Sequence, residues 1–531
     1  MLVTGGQVRA ADNFESLKAE FMQNAELEKE FPKEVLEETQ KISKEIFAKD
    51  KNRENFRHLH IICIDPLGAR DHDDAISVEE TSNGYILGVH IADVSHFVKP
   101  GSALDTEARK RGYTQYLPWT AVPMLPDILS GDLCSLQENE DRFSFSCIIT
   151  LDKKGRMLKY RFAKGIIKVS RSITYEQAKE LYDKKDKDIC LLARVAGILK
   201  KLRSENGMLE MDSTEYKCEF SKKGLPQCIV PRQTGISNSW VEECMLAANK
   251  CCALELQKRK LNGIYRIHEA PDPADLAELM QNEPNLFFDS PIDPHKLLKN
   301  YTGNNSQERQ IFDLYSHLVK KAKKDPSLTN KILRSMQKAI YSDKCTGHFA
   351  LHWKDYAHFT SPIRRYADLW CHRELTGKRG KINDLCNVIN EAEIKNQKIE
   401  RKALKFCASY LLRNEIGQTF KAEIQGIEEF GIFISVSTPT VAQADGLVHL
   451  RDVPGDFYVY DGAKKTLLGK RTGKRFKKGD KVTVKLIKVN PLKGENDFEI
   501  VKSSGSSGSP WEKREKKHEK HEKKSRRFGR R

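Results

Sequence analysis

The stretch HLHIICIDPLGARDHDDAISVE, residues 58–79, decides the fold, because it leads from one strand through a turn into the next. Its first half is an apolar run that predicts a buried strand, and Pro66 and Gly68 then end that strand in a turn. DAISVEE and YILGVHIADV predict a β-hairpin, since Asn83 and Gly84 stand between two apolar runs. The region therefore predicts neighbouring strands of one β-sheet.

Four aspartates collect around this turn. Asp65 ends the first strand, and Asp74 lies at the bend before the second. Asp71 and Asp73 share one face of the extended chain, because side chains alternate along it. Converging carboxylates without a counterion would have raised pKa values and would oppose folding. A hard divalent cation such as Mg²⁺ or Mn²⁺ removes this conflict, so the four aspartates are candidate metal ligands.

Two known acidic loops do not fit this turn. Counted from Asp71, the fifth, sixth and twelfth positions are Ala75, Ile76 and Ser82, which excludes a calcium EF-hand. Ala75 also excludes a D-x-D-x-[TV] phosphotransferase loop. A solvated acidic loop stays open as an alternative, and His72 is interpreted as a spacer rather than a ligand. If metal binds here, the fitting chemistry is two-metal phosphoryl transfer, and a basic protein with such a site suggests a nuclease.

The composition favours a polyanionic partner. The chain of 531 residues has 91 Lys and Arg against 74 Asp and Glu, a net charge of +17. Such a balance raises the expectation of nucleic-acid binding, although basicity can also serve solubility alone. Thirteen cysteines without a C-x-x-C pair argue against a zinc site and indicate reduced thiols. With neither a signal-peptide core nor an apolar run of about 18 residues, we expect a soluble cytoplasmic protein without a membrane partner.

The chain divides into four parts by pattern. Residues 1–55 are charged and helix-prone, and residues 56–415 mix strands with a long helical half. Residues 416–502 contain short strands separated by Gly and Asp, which predicts a small β-barrel. Residues 503–531 form a Ser/Gly linker and a basic tail, expected to be disordered when free. We predict an α+β multidomain protein, with a mixed β-sheet core surrounded by helices, then the barrel and the tail.

IDPLGARDHDDAISVE resembles the signature of the RNB-domain exoribonucleases, the ribonuclease II and ribonuclease R group. In that family, four aspartates with offsets of six, two and one hold the catalytic magnesium. The resemblance implies this role for Asp65, Asp71, Asp73 and Asp74. The blocks HIADVSHFV, VEECMLAAN, IYRIHEAPDP and GHFALHWKDYAHFTSPIRRYADLW continue it in order. The ARD-x-DD variant and the basic tail are closer to ribonuclease R.

The resemblance also implies which residues hold RNA. Tyr116 in QYLP matches a tyrosine that stacks on the base at the RNA 3′ end, whereas alone it would be read as a core residue. Arg364 in SPIRRYADL matches the arginine that grips the scissile phosphate, with Arg365 beside it. Without the family, these arginines would be read as surface salt-bridge partners. Asp71, Asp73 and Arg364 are the implied catalytic residues, and the family's second 3′-end aromatic has no assigned counterpart.

AEIQGIEEFGIFISV, DGLVHL and FYVYD resemble an S1-type RNA-binding OB fold. Phe430, Phe433 and His449 are its candidate base platforms. The candidate backbone contacts are Lys464, Lys465, Lys470, Arg471, Lys474, Arg475, Lys477 and Lys478. For any one of these basic residues taken singly, a solvated basic loop is the better interpretation.

The resemblance implies a processive hydrolytic 3′→5′ exoribonuclease that releases nucleoside 5′-monophosphates from single-stranded RNA with Mg²⁺, or Mn²⁺ in its place. We expect a monomer, with the ribosome or the RNA-decay machinery as further partners. The family usually carries two cold-shock modules before the catalytic domain, so either the N-terminus is missing or the enzyme works with one OB fold. A catalytically silent RNA-binding regulator would have lost acidic ligands, and all four are present. A small-molecule phosphatase would not explain the S1-type fold or the tail.

Overall fold

The structure is a computed structural model that describes residues 13–42, 52–210, 214–232, 234–299, 301–302, 304–323, 325–378, 380, 382–462 and 464–501. The basic tail predicted to be disordered lies outside these ranges. Contacts divide the chain into two units. The sheet unit comprises Lys18–Lys217 and Pro231–Leu404, and the barrel unit comprises Met1–Leu17, Cys218–Val230 and Lys405–Arg531. The domain boundaries predicted at residues 55, 415 and 502 stay predictions.

The described ranges contain thirteen α-helices, α1 to α13 in chain order. They are Phe14–Asn24, Lys33–Gln40, Val94–Phe97, Ala103–Arg111, Tyr175–Asp183, Lys187–Glu205, Ile236–Lys258, Pro273–Asn282, Pro294–Lys299, Asn305–Ala322, Pro326–Arg334, Tyr366–Leu375 and Leu385–Leu412. A π-helix covers Ile128–Leu133, and short 3₁₀ turns cover Pro284–Leu286, Arg413–Glu415 and Leu450–Asp452.

The described ranges contain twenty-one β-strands, β1 to β21 in chain order. They are Glu54–Asn55, Ile62–Asp65, Asp74–Thr81, Gly84–Ala92, Gln115–Leu117, Thr120–Val122, Asp141–Asp152, Met157–Lys168, Arg171–Thr174, Tyr216–Phe220, Pro226–Pro231, Tyr265–Ile267, Ile340–Ser342, Thr419–Glu428, Gly431–Val436, Ala444–His449, Tyr458–Asp461, Thr466–Gly469, Arg475–Phe476, Lys481–Asn490 and Glu495–Ile500.

A seven-stranded mixed sheet is the centre of the sheet unit, with strand order β1-β8-β7-β4-β3-β2-β9. Nearly every residue of β4 is buried, which is the pattern of a strand covered on both faces. Helix α7 packs against β4 and β7, and it contributes Trp240, Val241 and Cys244 to the same core. The mixed sheet surrounded by helices confirms the predicted fold class.

The predicted hairpin forms, but its turn differs by one residue. The pairing of β3 with β4 runs from Asp74 opposite Ile91 to Thr81 opposite Gly84, so the two-residue turn is Ser82 and Asn83. Gly84 is needed inside the strand instead. A Cβ atom at this position would lie 2.0 Å from the carbonyl oxygen of Leu151 on the neighbouring strand. The glycine therefore allows close packing of β4 against β7.

Three strands meet where the acidic turn lies. Asp65 is the last residue of β2, and Asp74 is the first residue of β3. The two strands are antiparallel neighbours, with Ile62 paired to Ile76. Strand β9 runs parallel to β2 on the other side and sets Thr174 beside Asp65. The turn between β2 and β3 therefore presents its side chains where the ends of these strands meet.

The barrel unit contains a closed five-stranded barrel with strand order β14-β15-β16-β21-β20. Its interior is filled by buried side chains such as Ile424, Ile432, Val448 and Phe498. This confirms the predicted S1-type barrel. The FYVYD segment forms β17, which pairs with β18 in a separate three-stranded sheet rather than in the barrel.

All thirteen cysteines are free, and eight of them are buried, which agrees with thiols packed as small apolar residues. Their reduced state stays a prediction. Among the helices of the described ranges, none has both the length and the apolar character needed to cross a membrane.

Candidate active site

One carboxylate oxygen of Asp65 contacts the side chains of two neighbouring residues, Cys63 and His72. The Cys63 thiol donates a hydrogen bond to Asp65 Oδ2 at 3.0 Å, and His72 Nδ1 lies 2.6 Å from the same oxygen. The hydrogen bond to Asp65 raises the pKa of His72, because the charged imidazolium gains a carboxylate partner. His72, predicted to be a spacer, is therefore part of the acidic cluster. Sequence reasoning also missed Cys63, since a thiol inside an apolar strand reads as a core residue.

Asp73 is buried deep in the site. Its Oδ1 accepts the backbone N–H of Ile363 at 2.8 Å. Its Oδ2 is buried and accepts no hydrogen bond from the described residues, although Arg364 Nε lies 3.3 Å away. Burial raises the pKa of Asp73 well above its usual range, and the Arg364 guanidinium opposes this only in part. The carboxylate is thus poorly compensated by the protein alone.

Asp74 and Asp71 complete the predicted set. Burial, with the nearby charge of Asp65, raises the pKa of Asp74 to about 7. Asp71 Oδ2 accepts a hydrogen bond from the Tyr116 hydroxyl. No three of the four aspartates bring carboxylate oxygens within 4.8 Å of one another, and the trio that meets this limit in the described ranges is Cys63, Asp65 and His72. The four aspartates therefore surround the turn without forming a compact trio of carboxylate oxygens.

The two predicted arginines differ in their partners. The Arg364 side chain is 41% exposed, and besides facing Asp73 it donates to Ser361 Oγ at 2.8 Å. Arg365 instead pairs through two nitrogens with the buried Asp368, at 2.9 and 2.7 Å. Arg364 is therefore available to a ligand, whereas Arg365 fixes the loop that precedes α12. A phosphate contact by Arg365 stays a prediction.

Tyr116 lies on the short hairpin of β5 and β6, 43% exposed. Its backbone N–H donates to Glu400 Oε1 at 3.3 Å, and the Gln115 side chain donates to the carbonyl of Asn396. Helix α13 therefore fixes the backbone of this hairpin. Burial and the charge of Asp71 raise the pKa of Tyr116, so its hydroxyl stays protonated and donates.

An N-terminal helical segment supports the same hairpin from another side. The rings of Phe21 and Trp119 meet edge to face at 5.5 Å, and Lys29 Nζ donates to Thr120 Oγ1 at 2.6 Å. Sequence reasoning missed these contacts, because nothing in a charged amphipathic helix indicates which distant loop it will cover.

Tyr175 lies close to the acidic turn, which the sequence patterns did not predict. It follows Thr174, which is paired with Asp65, and it begins α5. Burial raises the pKa of the Tyr175 hydroxyl, and the charges of Asp74 and Asp65 add to this shift. The sequence TYEQ gave only the signal of a helix start, and the structure has a capping box there.

The predicted base platforms lie together on the barrel. Phe430 and Phe433 are 56% and 40% exposed, and their rings meet edge to face at 5.7 Å. His449 pairs in register with Gly431, next to Phe430, and its Nε2 lies 3.6 Å from Asp497 Oδ1. The basic residues predicted to contact the RNA backbone, Lys464, Lys465, Lys470, Arg471, Lys474, Arg475, Lys477 and Lys478, are all exposed.

Comparisons with known proteins agree with this architecture. The family model of the RNB domain matches residues 53–377, and that of the S1 RNA binding domain matches residues 413–500. Ribonuclease R of Thermotoga maritima is 35% identical over 511 residues, which cover 89% of this chain and 68% of that protein. Ribonuclease R of Escherichia coli is 30% identical over 505 residues, which cover 89% of this chain and 60% of that protein.

Solved structures give the same result. The apo form of Mycoplasma genitalium RNase R matches with a TM-score of 0.80 at 27% identity, covering 91% of this chain and 77% of that chain. The same protein in complex with ribose methylated single-stranded RNA matches with the same TM-score and coverage.

Proposed function

Because this chain belongs to the RNB-domain family, we propose that it is a 3′→5′ exoribonuclease that hydrolyses single-stranded RNA. Two contacts with the acidic turn between β2 and β3 support this proposal. The partly exposed Arg364 faces the buried Asp73, and the partly exposed Tyr116 donates to Asp71. A guanidinium suited to binding a phosphate and a ring suited to stacking on a base thus lie beside a set of carboxylates, a combination that supports hydrolysis at an RNA end.

The chemistry of the carboxylates supports a hard divalent cation as their counterion. Asp73 has a buried oxygen without a hydrogen bond from the described residues, and the pKa of Asp74 is raised to about 7. Both facts indicate negative charge that the protein does not compensate by itself. We infer that Asp65, Asp71, Asp73 and Asp74 hold Mg²⁺, with Mn²⁺ as a substitute. Bound in pairs, such ions supply an activated water and stabilise the leaving oxygen.

Arg364 has the role of binding the scissile phosphate. Its guanidinium is anchored to Ser361 Oγ, so its direction is fixed before RNA arrives. A planar guanidinium can donate two hydrogen bonds to a phosphate and offset the charge that develops during the reaction. The backbone N–H of Ile363, one residue earlier, fixes Asp73 at the same time. One loop therefore positions both the acid and the cation.

Tyr116 has the role of holding the terminal base. An exposed aromatic ring beside the carboxylates offers a stacking face to any base, which suits a sequence-independent nuclease. Its hydroxyl is fixed by Asp71 and its backbone by Glu400, so the ring is oriented from two sides. We propose that cleavage next to the held base releases nucleoside 5′-monophosphates one at a time and that the enzyme acts processively.

The barrel and the tail would add general affinity for RNA. Phe430 and Phe433 form an exposed aromatic pair, and exposed lysines and arginines follow in β17 to β19 and their loops. Such surfaces bind single strands by stacking and by salt-sensitive contacts with phosphates. We propose that Phe430, Phe433 and His449 contact bases, and that the protein works as a cytoplasmic monomer in RNA decay, with the ribosome as a further partner.

The test uses Asp73→Asn, with Glu80→Gln as a matched control. Glu80 is an exposed carboxylate on the same strand as Asp74 but at its far end, paired with Arg194. We expect Asp73→Asn to abolish degradation of a 3′-tailed RNA while binding, measured by fluorescence anisotropy, persists. Glu80→Gln keeps both. Full activity of Asp73→Asn would refute the proposed metal site, and would leave the silent RNA-binding alternative without support as well.

A further inference from the structure

The trio Cys63, Asp65 and His72 has donor atoms that the proposed hydrolysis does not use. Cys63 Sγ, Asp65 Oδ2 and His72 Nδ1 all lie within 4.8 Å of one another. Both Sγ and Nδ1 approach the same carboxylate oxygen, at 3.0 and 2.6 Å. These three atoms form a hydrogen-bonded cluster. They are also a sulfur, a nitrogen and an oxygen close enough together to act as ligands of one metal ion.

The strand and the turn hold these atoms in place. Cys63 and Asp65 are two residues apart in β2, so their side chains project from the same face. The pairing of Cys63 with Ser172 on β9 fixes this part of the strand. The backbone N–H of His72 donates to Ser135 Oγ, and that hydroxyl donates to the carbonyl of Arg70. A ligand trio supported in this way needs little rearrangement to receive an ion.

The chemistry of the trio selects a different metal from the one proposed for hydrolysis. Mg²⁺ takes oxygen ligands, and a thiolate and an imidazole give it no advantage. Zn²⁺ is bound by cysteine sulfur at about 2.3 Å and by histidine nitrogen or carboxylate oxygen at about 2.0–2.2 Å. The absence of a C-x-x-C pair in the sequence argued against a zinc site built from neighbouring cysteines, whereas this trio combines one cysteine with two other ligand types.

A cation can reach the trio from outside. Cys63 is fully buried, but the side chains of Asp65 and His72 are 22% and 15% exposed. Binding would release the Cys63 Sγ proton to solvent, and His72 would bind through an unprotonated Nδ1 while its Nε2 keeps a proton. The two hydrogen bonds to Asp65 would thus be exchanged for two metal bonds, while the carboxylate keeps its place as the third ligand.

We propose that Cys63, Asp65 and His72 form a binding site for Zn²⁺, which inhibits the nuclease by withdrawing Asp65 from the Mg²⁺ ligands. The inhibitory part rests on the proposed function, whereas the binding part does not. Asp65 is the one residue common to both sets, so Zn²⁺ bound through Asp65 Oδ2 would compete with Mg²⁺ for this carboxylate.

The test measures metal binding directly. Cd²⁺ serves as the probe, because a thiolate bound to it absorbs in the ultraviolet. The ultraviolet spectrum of the full-length protein is recorded while up to one equivalent of Cd²⁺ is added. We expect the thiolate band in the wild type and in Cys345→Ser, a partly exposed cysteine outside the trio. We expect it to be absent in Cys63→Ser. His72→Gln keeps the thiol and should lower the affinity for Zn²⁺ by about tenfold or more.

Inhibition is measured on the same proteins, each relative to its own rate with Mg²⁺ alone. Zn²⁺ should inhibit the wild type and Cys345→Ser at a concentration about tenfold or more below that needed for Cys63→Ser or His72→Gln. An unchanged band in Cys63→Ser together with unchanged Zn²⁺ affinity in His72→Gln would overturn the site. If the wild type degrades no RNA with Mg²⁺, the proposed function fails, while the absorption band still decides the metal site.

Discussion

Arg364 Nε lies 3.3 Å from Asp73 Oδ2, a buried oxygen that accepts no hydrogen bond from the described residues. The pair is asymmetric, because Asp73 is buried whereas the Arg364 side chain is 41% exposed. The Asp73 carboxyl therefore faces the interior of the site, and the Arg364 guanidinium contacts both this carboxyl and solvent. This is the arrangement expected if the guanidinium must contact a phosphate that arrives from outside.

Arg364→Lys should slow hydrolysis without unfolding the protein. Lysine keeps the charge but loses the planar fork that donates two hydrogen bonds, and losing one such donor costs about 10²-fold or more in rate. Single-turnover cleavage of a short RNA measures the effect. Arg194→Lys, at an exposed pair with Glu80, should keep the wild-type rate. A wild-type rate in Arg364→Lys would exclude the proposed phosphate contact.

Arg365→Ala should reduce stability instead. The fully buried Asp368 accepts hydrogen bonds from both Arg365 and the Ser361 backbone, so removal of the guanidinium leaves an uncompensated buried carboxylate. Removing one partner of such a pair costs about 3–5 kcal/mol in the free energy of unfolding. Urea denaturation followed by circular dichroism measures this. If Arg365→Ala has wild-type stability and weaker RNA binding, Arg365 is a ligand-binding residue as the sequence predicted.

Tyr116 variants separate stacking from hydrogen bonding. Tyr116→Ala should weaken binding of an RNA 3′ end by about 1–3 kcal/mol, since the stacking face is lost. Tyr116→Phe keeps the ring and loses only the hydrogen bond to Asp71, so its binding should stay near that of the wild type. Phe288→Ala, at an aromatic ring that is 93% exposed, is the control. Anisotropy with a 5′-labelled oligonucleotide distinguishes them, and equal affinities throughout would exclude a base contact by Tyr116.

The buried His90 should make stability fall in acid. Its ring nitrogens lie 3.0 Å from Ser77 Oγ and 2.8 Å from Ser146 Oγ, and burial lowers its pKa to about 3. A folded-state pKa below the unfolded value of about 6.5 means that the stabilisation is complete above pH ~6.5 and is lost as the pH falls towards 3. Between pH ~6.5 and ~5, the uptake of a proton by His90 in the unfolded chain should lower the free energy of unfolding by about 2 kcal/mol.

Denaturation at a series of pH values tests this, with His90→Gln beside the exposed control His295→Gln. The slope between pH 6.5 and 5 should flatten in His90→Gln and persist in His295→Gln. Equal slopes in both variants would mean that other groups dominate the acid response.

The sequence predicted the parts of this protein that depend on local pattern. The apolar run before Asp65, the alternation after Asp74 and the Gly-punctuated strands of the barrel each depend on a few neighbouring residues. The contacts that complete the site join distant parts of the chain, such as the Ile363 backbone and Asp73, which are 290 residues apart. Motif resemblance supplied Arg364 and Tyr116, but no local pattern identifies their partners.

Cys63 and His72 are two further residues whose part in the site local sequence patterns did not predict. Each has a common local explanation, the first as a core thiol and the second as a spacer between aspartates. Alternation within β2 places Cys63 on the same face as Asp65, and the turn between β2 and β3 brings His72 onto Asp65. Sequence patterns also do not identify Tyr175 as a neighbour of the site. It follows Thr174, which is paired with Asp65 across β2 and β9, whereas the two residues are far apart along the chain.

Metal-dependent hydrolysis from the 3′ end is tested most directly by following a 5′-labelled single-stranded RNA on a denaturing gel, with Mg²⁺ and with a chelator. We expect that the wild type shortens the RNA from its 3′ end in the presence of Mg²⁺, that the chelator stops this, and that Asp73→Asn leaves the RNA intact under both conditions. Degradation that continues in the chelator, or internal fragments that appear before any 3′ shortening, would contradict this expectation.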